Sequence, residues 1–480
     1  CYHVPEPILN VGNCFSVRLR APHTMNTKTA RHSLDMLHGS LIKKILLFAL
    51  PIAASSILQQ LFNSADTAVA GQFGNADALA AVGTNGEIVA LIVGICVGIA
   101  VGANVLIAKF IGAGERHRIS GAVHTAMAFS VVFGILFTIL GQFTARPLLA
   151  LIHTPEDIMT SATNYLKVYF LGVPFLSVYN FGSAILRSKG DSKRPLAALI
   201  LSGIINVLLN LFFVVVCKLS VIGVALATDI STAVSAFFVV FWLCREPDEF
   251  RLSVRKCRIE WKYLSSILRI GIPAAIQSAV FCVANIFVQS AINTFGSSAA
   301  AGSAISMNFE YIAYYVNTAF GQAATTFTSQ NYAAKKTQRC RKIFWISLGM
   351  ALLFSSLIIY PIVIFRSQAS GIFSSSPEEI RFSCERILVV LSLQILCSVY
   401  EIPACTMRGL GYSALPAVEM ILGICVIRII WRFTIFSYFN TLKSMYLVFP
   451  TTWVITSIIM LISFVIVLRK AFPKPNPTAA

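Results

Sequence analysis

Charge is scarce in this chain. Of its 480 residues, 12% are Asp, Glu, Lys or Arg, about half the roughly 25% found in soluble domains. With 56% hydrophobic residues and a mean hydropathy of +0.76, a water-soluble globule is excluded. The aliphatic and aromatic content, 35 Phe included, excludes a disordered chain, and the lack of a short glycine period excludes a collagen-like one. None of the twelve cysteines forms a CxxC pair. Most of them, such as Cys96, Cys282, Cys397 and Cys425, lie in apolar runs, where a thiol behaves as a small hydrophobe. Neither disulfides nor a metal site is expected. Also missing are a Walker glycine loop, a His/Glu metal-helix spacing and a nucleophile elbow. These absences argue against an ATP-driven pump and a soluble enzyme, and no cofactor is expected.

What is present is a series of long apolar runs. A membrane-spanning helix needs about 20 mostly apolar residues, because lipid cannot satisfy backbone groups. Uncharged runs of that kind fall at 45–65, 88–108, 119–145, 168–186, 195–217, 311–334, 343–365 and 444–468. Residues 270–309 hold one helix and the start of another, broken at Phe295-Gly296-Ser297-Ser298. Spans near 219–244, 387–407 and 415–437 carry ionisable residues: Asp229; Glu401; and Glu419 with Arg428 and Arg432. The sum is an all-α membrane protein of twelve transmembrane helices.

The formal charge of +18 needs no nucleic-acid partner. When helix one is taken to leave the cytoplasm, 29 Lys and Arg fall in the terminal segments and the loops after even-numbered helices, and seven fall on the other face. Basic residues concentrate in cytoplasmic loops, so both termini are expected in the cytoplasm of a multi-pass cell-membrane protein. Residues 1–40 carry basic residues and lack the apolar core of a signal peptide. Met25 is a candidate start, with residues 1–24 then an upstream extension. The expected organisation is an N-terminal segment (1–40), a first lobe (41–244), a cytoplasmic linker (245–262), a second lobe (263–468) and a tail (469–480).

The halves repeat. An offset of 222 pairs Ala49-Leu50-Pro51 with Gly271-Ile272-Pro273, Asn63 with Asn285, Phe73-Gly74 with Phe295-Gly296, and Pro155-Glu156-Asp157-Ile158 with Pro377-Glu378-Glu379-Ile380. An offset of 221 pairs Arg187, Gly190 and Pro195 with Arg408, Gly411 and Pro416. Six helices per repeat is an even number, so the repeats are parallel, related by an axis along the membrane normal. Two such bundles enclose a central cavity, and rocking one against the other opens it to alternate sides. A carrier is the natural reading.

Polar residues at membrane depth mark the candidate sites. Gln59, Asn63, Asp66 and Thr67 share one face of helix one. An ionised carboxylate at that depth costs up to about 3 kcal/mol unless partnered, so Asp66 invites a proton or a cation. At the repeat-equivalent place stands Val288, so the acid belongs to one lobe. Asn206 and Asn210 share a face of helix five, as Arg428 and Arg432 do in helix eleven, and Asn180 lies in helix four; interhelical hydrogen bonding explains the asparagines as well as ligand binding does. Glu87 and Glu310 open helices two and eight, where a helix N-terminus favours a carboxylate. Glu310 with Tyr311, Tyr314 and Tyr315 is suited to an organic cation or forms an interfacial tyrosine belt. Glu401 and Glu419 are candidates to pair with Arg408, Arg428 or Arg432.

Several motifs carry a family resemblance. They are Pro51 followed by Asn63-x-x-Asp66-Thr67 and Gly71-x-x-Gly74, Ile111-Gly112-Ala113-Gly114, Leu186-Arg187-Ser188-x-Gly190-Asp191-x-x-x-Pro195, and Ser329-Gln330-Asn331-Tyr332-Ala333-Ala334. In order, and across about residues 40–470, they resemble the multidrug and toxic compound extrusion (MATE) family. The resemblance implies a V-shaped exporter of small cationic and amphipathic organic compounds, driven by entry of H⁺ or Na⁺. It places the family's helix-one acid at Asp66, with Asn180 and Asn206 as polar partners and Na⁺ at Asp66 as the one metal to consider. Asn210 stands where related chains often carry an acid, and helix seven, with Phe281 and Cys282, lacks the acid of some branches. A monomer is expected. The alternatives are a lipid-linked oligosaccharide flippase of the same superfamily, to which Arg428 and Arg432 are suited, and a membrane-embedded transferase.

Overall fold

A computed structural model of the chain describes residues 34–73, 76–152 and 154–472. The candidate start at Met25 and most of the two terminal segments lie outside them. Twelve long helices occur among the described residues. In the first lobe they are α1 (Leu41–Phe73), α2 (Ala76–Ala113), α3 (Arg116–Leu151), α4 (Glu156–Ser188), α5 (Lys193–Val216) and α6 (Ser220–Cys244). In the second they are α7 (Trp261–Asn293), α8 (Ser297–Ala333), α9 (Thr337–Ile364), α10 (Pro377–Gly409), α11 (Ala414–Phe439) and α12 (Leu442–Ala471). Eleven are long and apolar enough to cross a membrane by composition alone. The other is α8, whose Gln330, Asn331 and neighbouring hydroxyls are covered by protein rather than lipid.

The turn expected at residues 295–298 is present, with Gly296 at a φ of 98° that a side chain would oppose. Three long helices are locally rewound, α10 into a 3₁₀ stretch at Leu391–Leu396. α5 ends in a π-helical stretch at Phe212–Val216, and α11 carries one at Ile421–Val426. A π turn accommodates one extra residue in a continuing helix. The turn in α11 thus accounts for the repeat offset, 221 at Arg187 and Arg408, returning to 222 beyond it, which makes Arg428 and Arg432 the counterparts of Asn206 and Asn210.

Each lobe has its own apolar core, and the two exchange helix ends. The first half of α1, from Leu41 to Ala53, packs in the core of the second lobe, while Tyr263, Ile267 and Ala275 of α7 pack in the core of the first. The crossing helices each carry a proline at the equivalent place, Pro51 and Pro273. Their outer halves return to their own lobes: Val69 and Ala70 pack in the first core, Val288 and Ile292 in the second.

The lobes meet at the terminal end of the bundle, where α1 begins and α12 ends. There α2 and α7 approach so closely that a Cβ on Gly102 would fall on the carbonyl of Ile267. Cross-lobe hydrogen bonds join Ser329 Oγ to Val105 O at 2.9 Å, Gln330 Nε2 to Ser188 O at 2.7 Å and Arg187 NH1 to Gln322 Oε1 at 2.9 Å. Among the described residues none lies farther from the termini than the bond from Tyr315 Oη to Gln60 Oε1, 2.9 Å. Beyond that level the lobes part, as the arms of a V.

Two segments fasten the terminal end. Residues 34–39 run across it. Leu34 N donates to Gly190 O of the first lobe, while Asn331 Nδ2, Lys336 Nζ and Arg339 NH1 of the second donate to the carbonyls of Met36, Leu37 and Gly39. Met36 is 1% exposed. The linker after α6 is folded onto the first lobe, with Phe250 and Leu252 in its core. Lys189 Nζ bridges Glu246 at 2.6 Å and Asp248 at 2.7 Å, and Ser253 N donates to His124 Nε2 at 3.1 Å.

Candidate functional site

Asp66 sits in the outer half of α1, where that helix has crossed back into the first lobe. Its side chain points away from the cleft, toward α5 and α6, and the residue is 5% exposed. Asn210 Nδ2 donates to Asp66 Oδ1 at 2.5 Å, and Thr228 Oγ1 to Asp66 Oδ2 at 3.0 Å. Asn206 closes a ring, accepting from Asn210 at 3.3 Å and donating to Thr228 Oγ1 at 3.4 Å. Asn206 and Asn210 are brought together because four residues separate them on one helix, so both face α1 and α6.

The ring is neutral apart from one carboxylate. Among the described residues no Lys, Arg or His pairs with Asp66; the ion pairs of this lobe gather near the terminal end, at Lys189 and Arg194. Asn210 Oδ1 is buried without a partner. With both carboxylate oxygens, Asn206 Oδ1 and Thr228 Oγ1, it gives a small oxygen-rich site, hard donors of the kind that suit a proton or an alkali cation. Among the described residues there is no His, Cys, Asp and Glu cluster for a metal ion.

The other sequence-predicted residues divide. Asn180 bonds its own helix, Nδ2 to Leu176 O at 2.9 Å, and is outside the ring. Asn63 is exposed and Gln59 half-buried on α1, on the same side of the helix as Asp66. Tyr311 and Tyr315 stack with ring centroids 6.2 Å apart, and Tyr314 lies beside them, 6.4 Å from Tyr315. Glu310 is not free to receive an organic cation: Arg386 grips it with both arms, Nε to Oε1 at 2.7 Å and NH2 to Oε2 at 2.9 Å. Glu401 pairs with Arg408 at 3.8 Å; Glu419 is in no ion pair among the described residues.

One residue of the ring escaped sequence reasoning. Thr228 completes the ring, and its one signal was a place next to Asp229 in a span already marked as ionisable. Asp229 faces α4, where its carboxylate lies against Gly172. Glu87 is half-buried and shares a stripe of α2 with Gly94 and Gly98, which pack on Ser278 and Ala275 of α7; it faces the other lobe where the two begin to part.

The repeat is matched by a known family. The model of the MatE family matches residues 51–212 and 273–434, two stretches displaced by the same 222 residues that the prolines show. The chain belongs to the MatE family of multidrug efflux transporters. It is 26% identical to the probable multidrug resistance protein YoeA of Bacillus subtilis (strain 168) over 409 residues, 83% of this chain and 88% of that one. It is 25% identical to the probable multidrug resistance protein NorM of Thermotoga maritima over 402 residues, 83% of this chain and 86% of that one. An outward-facing multidrug resistance MATE family transporter of the MOP superfamily has the same fold, with a TM-score of 0.85 at 21% identity over 92% of this chain and 98% of that one. This MATE transporter is thus a multi-span membrane protein whose two repeats are the two MatE matches.

Proposed function

We propose that this MATE transporter is a secondary active exporter that couples entry of H⁺ or Na⁺ at the Asp66 ring to efflux of cationic or amphipathic organic compounds. One observation carries the reading: a buried carboxylate at membrane depth is held only by neutral donors, Asn210 and Thr228. A charge in that setting is unstable without a counter-ion, so a cation from one side fills the ring and departs to the other when the lobes rock. The substrate enters the cleft between the lobes, lined by the stacked Tyr311 and Tyr315. The protein works as a monomer in the cell membrane with both termini in the cytoplasm, supported by the 29-to-7 distribution of Lys and Arg. The form described here, joined at the terminal end, is then the one open to the outside.

The test is efflux of a fluorescent organic cation from proteoliposomes under separately imposed pH and Na⁺ gradients. Asp66→Asn keeps size and hydrogen bonding but removes the charge. It should insert and bind substrate yet lose gradient-driven efflux; near-normal efflux would eliminate Asp66 as the coupling site. A reporter fused to the C-terminus should be active only in the cytoplasm.

A further inference from the structure

The second lobe answers the acidic interior of the first with unpaired positive charge. Arg428 and Arg432 stand where the first lobe has Asn206 and Asn210, and Val288 stands where it has Asp66. Among the described residues the ion pairs of this lobe take up Arg386 and Arg408 but neither Arg428 nor Arg432. Arg428 is 1% exposed, donates to Asn285 Oδ1 at 2.9 Å, and lies between the rings of Phe281 and Phe449. One turn farther from the termini, Arg432 lines a cavity of about 530 Å³ together with Thr294, Phe295, Phe436, Ser437 and Asn440.

We propose that this cavity binds the phosphate of an amphipathic ester, either a phospholipid headgroup or a soluble organic phosphate. The donors match a phosphate group. The guanidinium offers a planar fork that phosphate oxygens accept in pairs, and the side-chain amide of Asn440 adds a further donor; the hydroxyls of Thr294 and Ser437 already donate to Ala291 O and Arg432 O. The apolar walls match an ester rather than a bare ion: Phe295 and Phe436 meet edge to face at 5.9 Å, and the guanidinium of Arg432 lies 4.8 Å from the Phe436 ring centre. The volume exceeds what a phosphate alone would fill, leaving room for the group it esterifies. Next to the cavity, Phe433, Tyr438 and Phe439 are exposed, the aromatic rim that marks headgroup depth in a bilayer. Arg428, buried beneath, holds a second positive charge on the same helix face and reinforces the attraction for an anion.

The purified full-length protein is titrated calorimetrically with phenyl phosphate, alone and in competition with dihexanoyl phosphatidylglycerol; dihexanoyl glycerol, which has no phosphate, is the control. Phenyl phosphate should bind saturably, at least tenfold more weakly in Arg432→Gln, with Arg432→Lys between. Displacement by the phosphatidylglycerol assigns the site to a lipid headgroup, and failure to displace assigns it to a soluble organic phosphate; both sustain a phosphate site. Absence of saturable binding, or an unchanged Kd in Arg432→Gln, overturns it. Should Arg432→Gln fail to fold by circular dichroism, Asn440→Ala is read by the same criterion. The site does not depend on coupling through Asp66: Asp66→Asn should bind phenyl phosphate as the wild type does.

Discussion

Asn104 and Thr326 occupy equivalent places in the two repeats, 222 residues apart, and hydrogen-bond to each other, Thr326 Oγ1 donating to Asn104 Oδ1 at 2.9 Å. Symmetry-related positions touch only where the axis relating them passes. The pair therefore locates the pseudo-two-fold axis between α2 and α8, at the end where the lobes are joined. Any motion that opens that end must break this bond along with Arg187 to Gln322 and Gln330 to Ser188.

Thr326→Val should loosen the joined end without touching either lobe's core. Asn104 keeps its bond to Ala184 O, but its carbonyl oxygen is orphaned in the closed arrangement, at a cost of about 1–3 kcal/mol, and hydrated in the open one. The population open at the terminal end should rise about fivefold or more. Pulsed electron spin resonance distances between labels on the terminal ends of α2 and α8 measure it, and an unchanged distribution would show that the bond does not hold the lobes.

The Glu310–Arg386 pair should matter for stability rather than for cation binding. Both groups are largely buried, and removing one partner of such a pair leaves an uncompensated charge costing about 3–5 kcal/mol. Arg386→Met and Glu310→Gln should each lower the apparent unfolding temperature in detergent, and the double variant should lose less than the two singles combined. Additive losses would mean that the residues act separately.

That pair also marks the boundary of what the sequence reveals. Spans and the repeat are periodic or compositional signals, and Asp66 was conspicuous as an acid on the polar face of an apolar helix. Arg386 lies 76 residues from Glu310 and Thr228 lies 162 from Asp66, separations at which only the packing of helices creates a neighbour. Asn180, by contrast, looked like Asn206 in sequence and differs only in which way its helix turns it. α8 is polar for a span because protein from both lobes, not lipid, covers it.

The strap at residues 34–39 should respond to acid. Burial pushes the Asp35 carboxyl up, but the backbone N–H of Leu37, the His38 side chain and the Lys44 ammonium outweigh it and hold it below its ordinary value of 3.8. A carboxyl lowered by folding stabilises the folded form fully above its ordinary value and loses that contribution as pH falls through the lowered one. Hydrogen exchange at Leu37 and His38, corrected for intrinsic rates, should speed up on acidification below about pH 4. In Asp35→Asn it should already be fast at neutral pH, and a protected strap in that variant would mean that Asp35 does not organise it.

Asn210 should decide how strongly the ring prefers one ion over the other. It touches Asp66 directly, and its own Oδ1 is buried without a partner, so the wild-type ring offers one negative charge and neutral oxygens. Asn210→Asp puts a second carboxylate beside the first. Two such charges repel by roughly 4 kcal/mol at 4 Å and an effective dielectric of 20, so they cannot both stay ionised unless a cation lies between them. A bound Na⁺ answers to two charges where it answered to one, whereas a single proton leaves the other carboxylate exposed to the same buried setting. The variant should therefore gain Na⁺ dependence: proteoliposome efflux driven by a Na⁺ gradient should rise relative to efflux driven by a pH gradient, with a lower half-saturating Na⁺ concentration. If the ratio of Na⁺-driven to pH-driven efflux is the same in Asn210→Asp as in the wild type, the ring is not where the coupling ion binds.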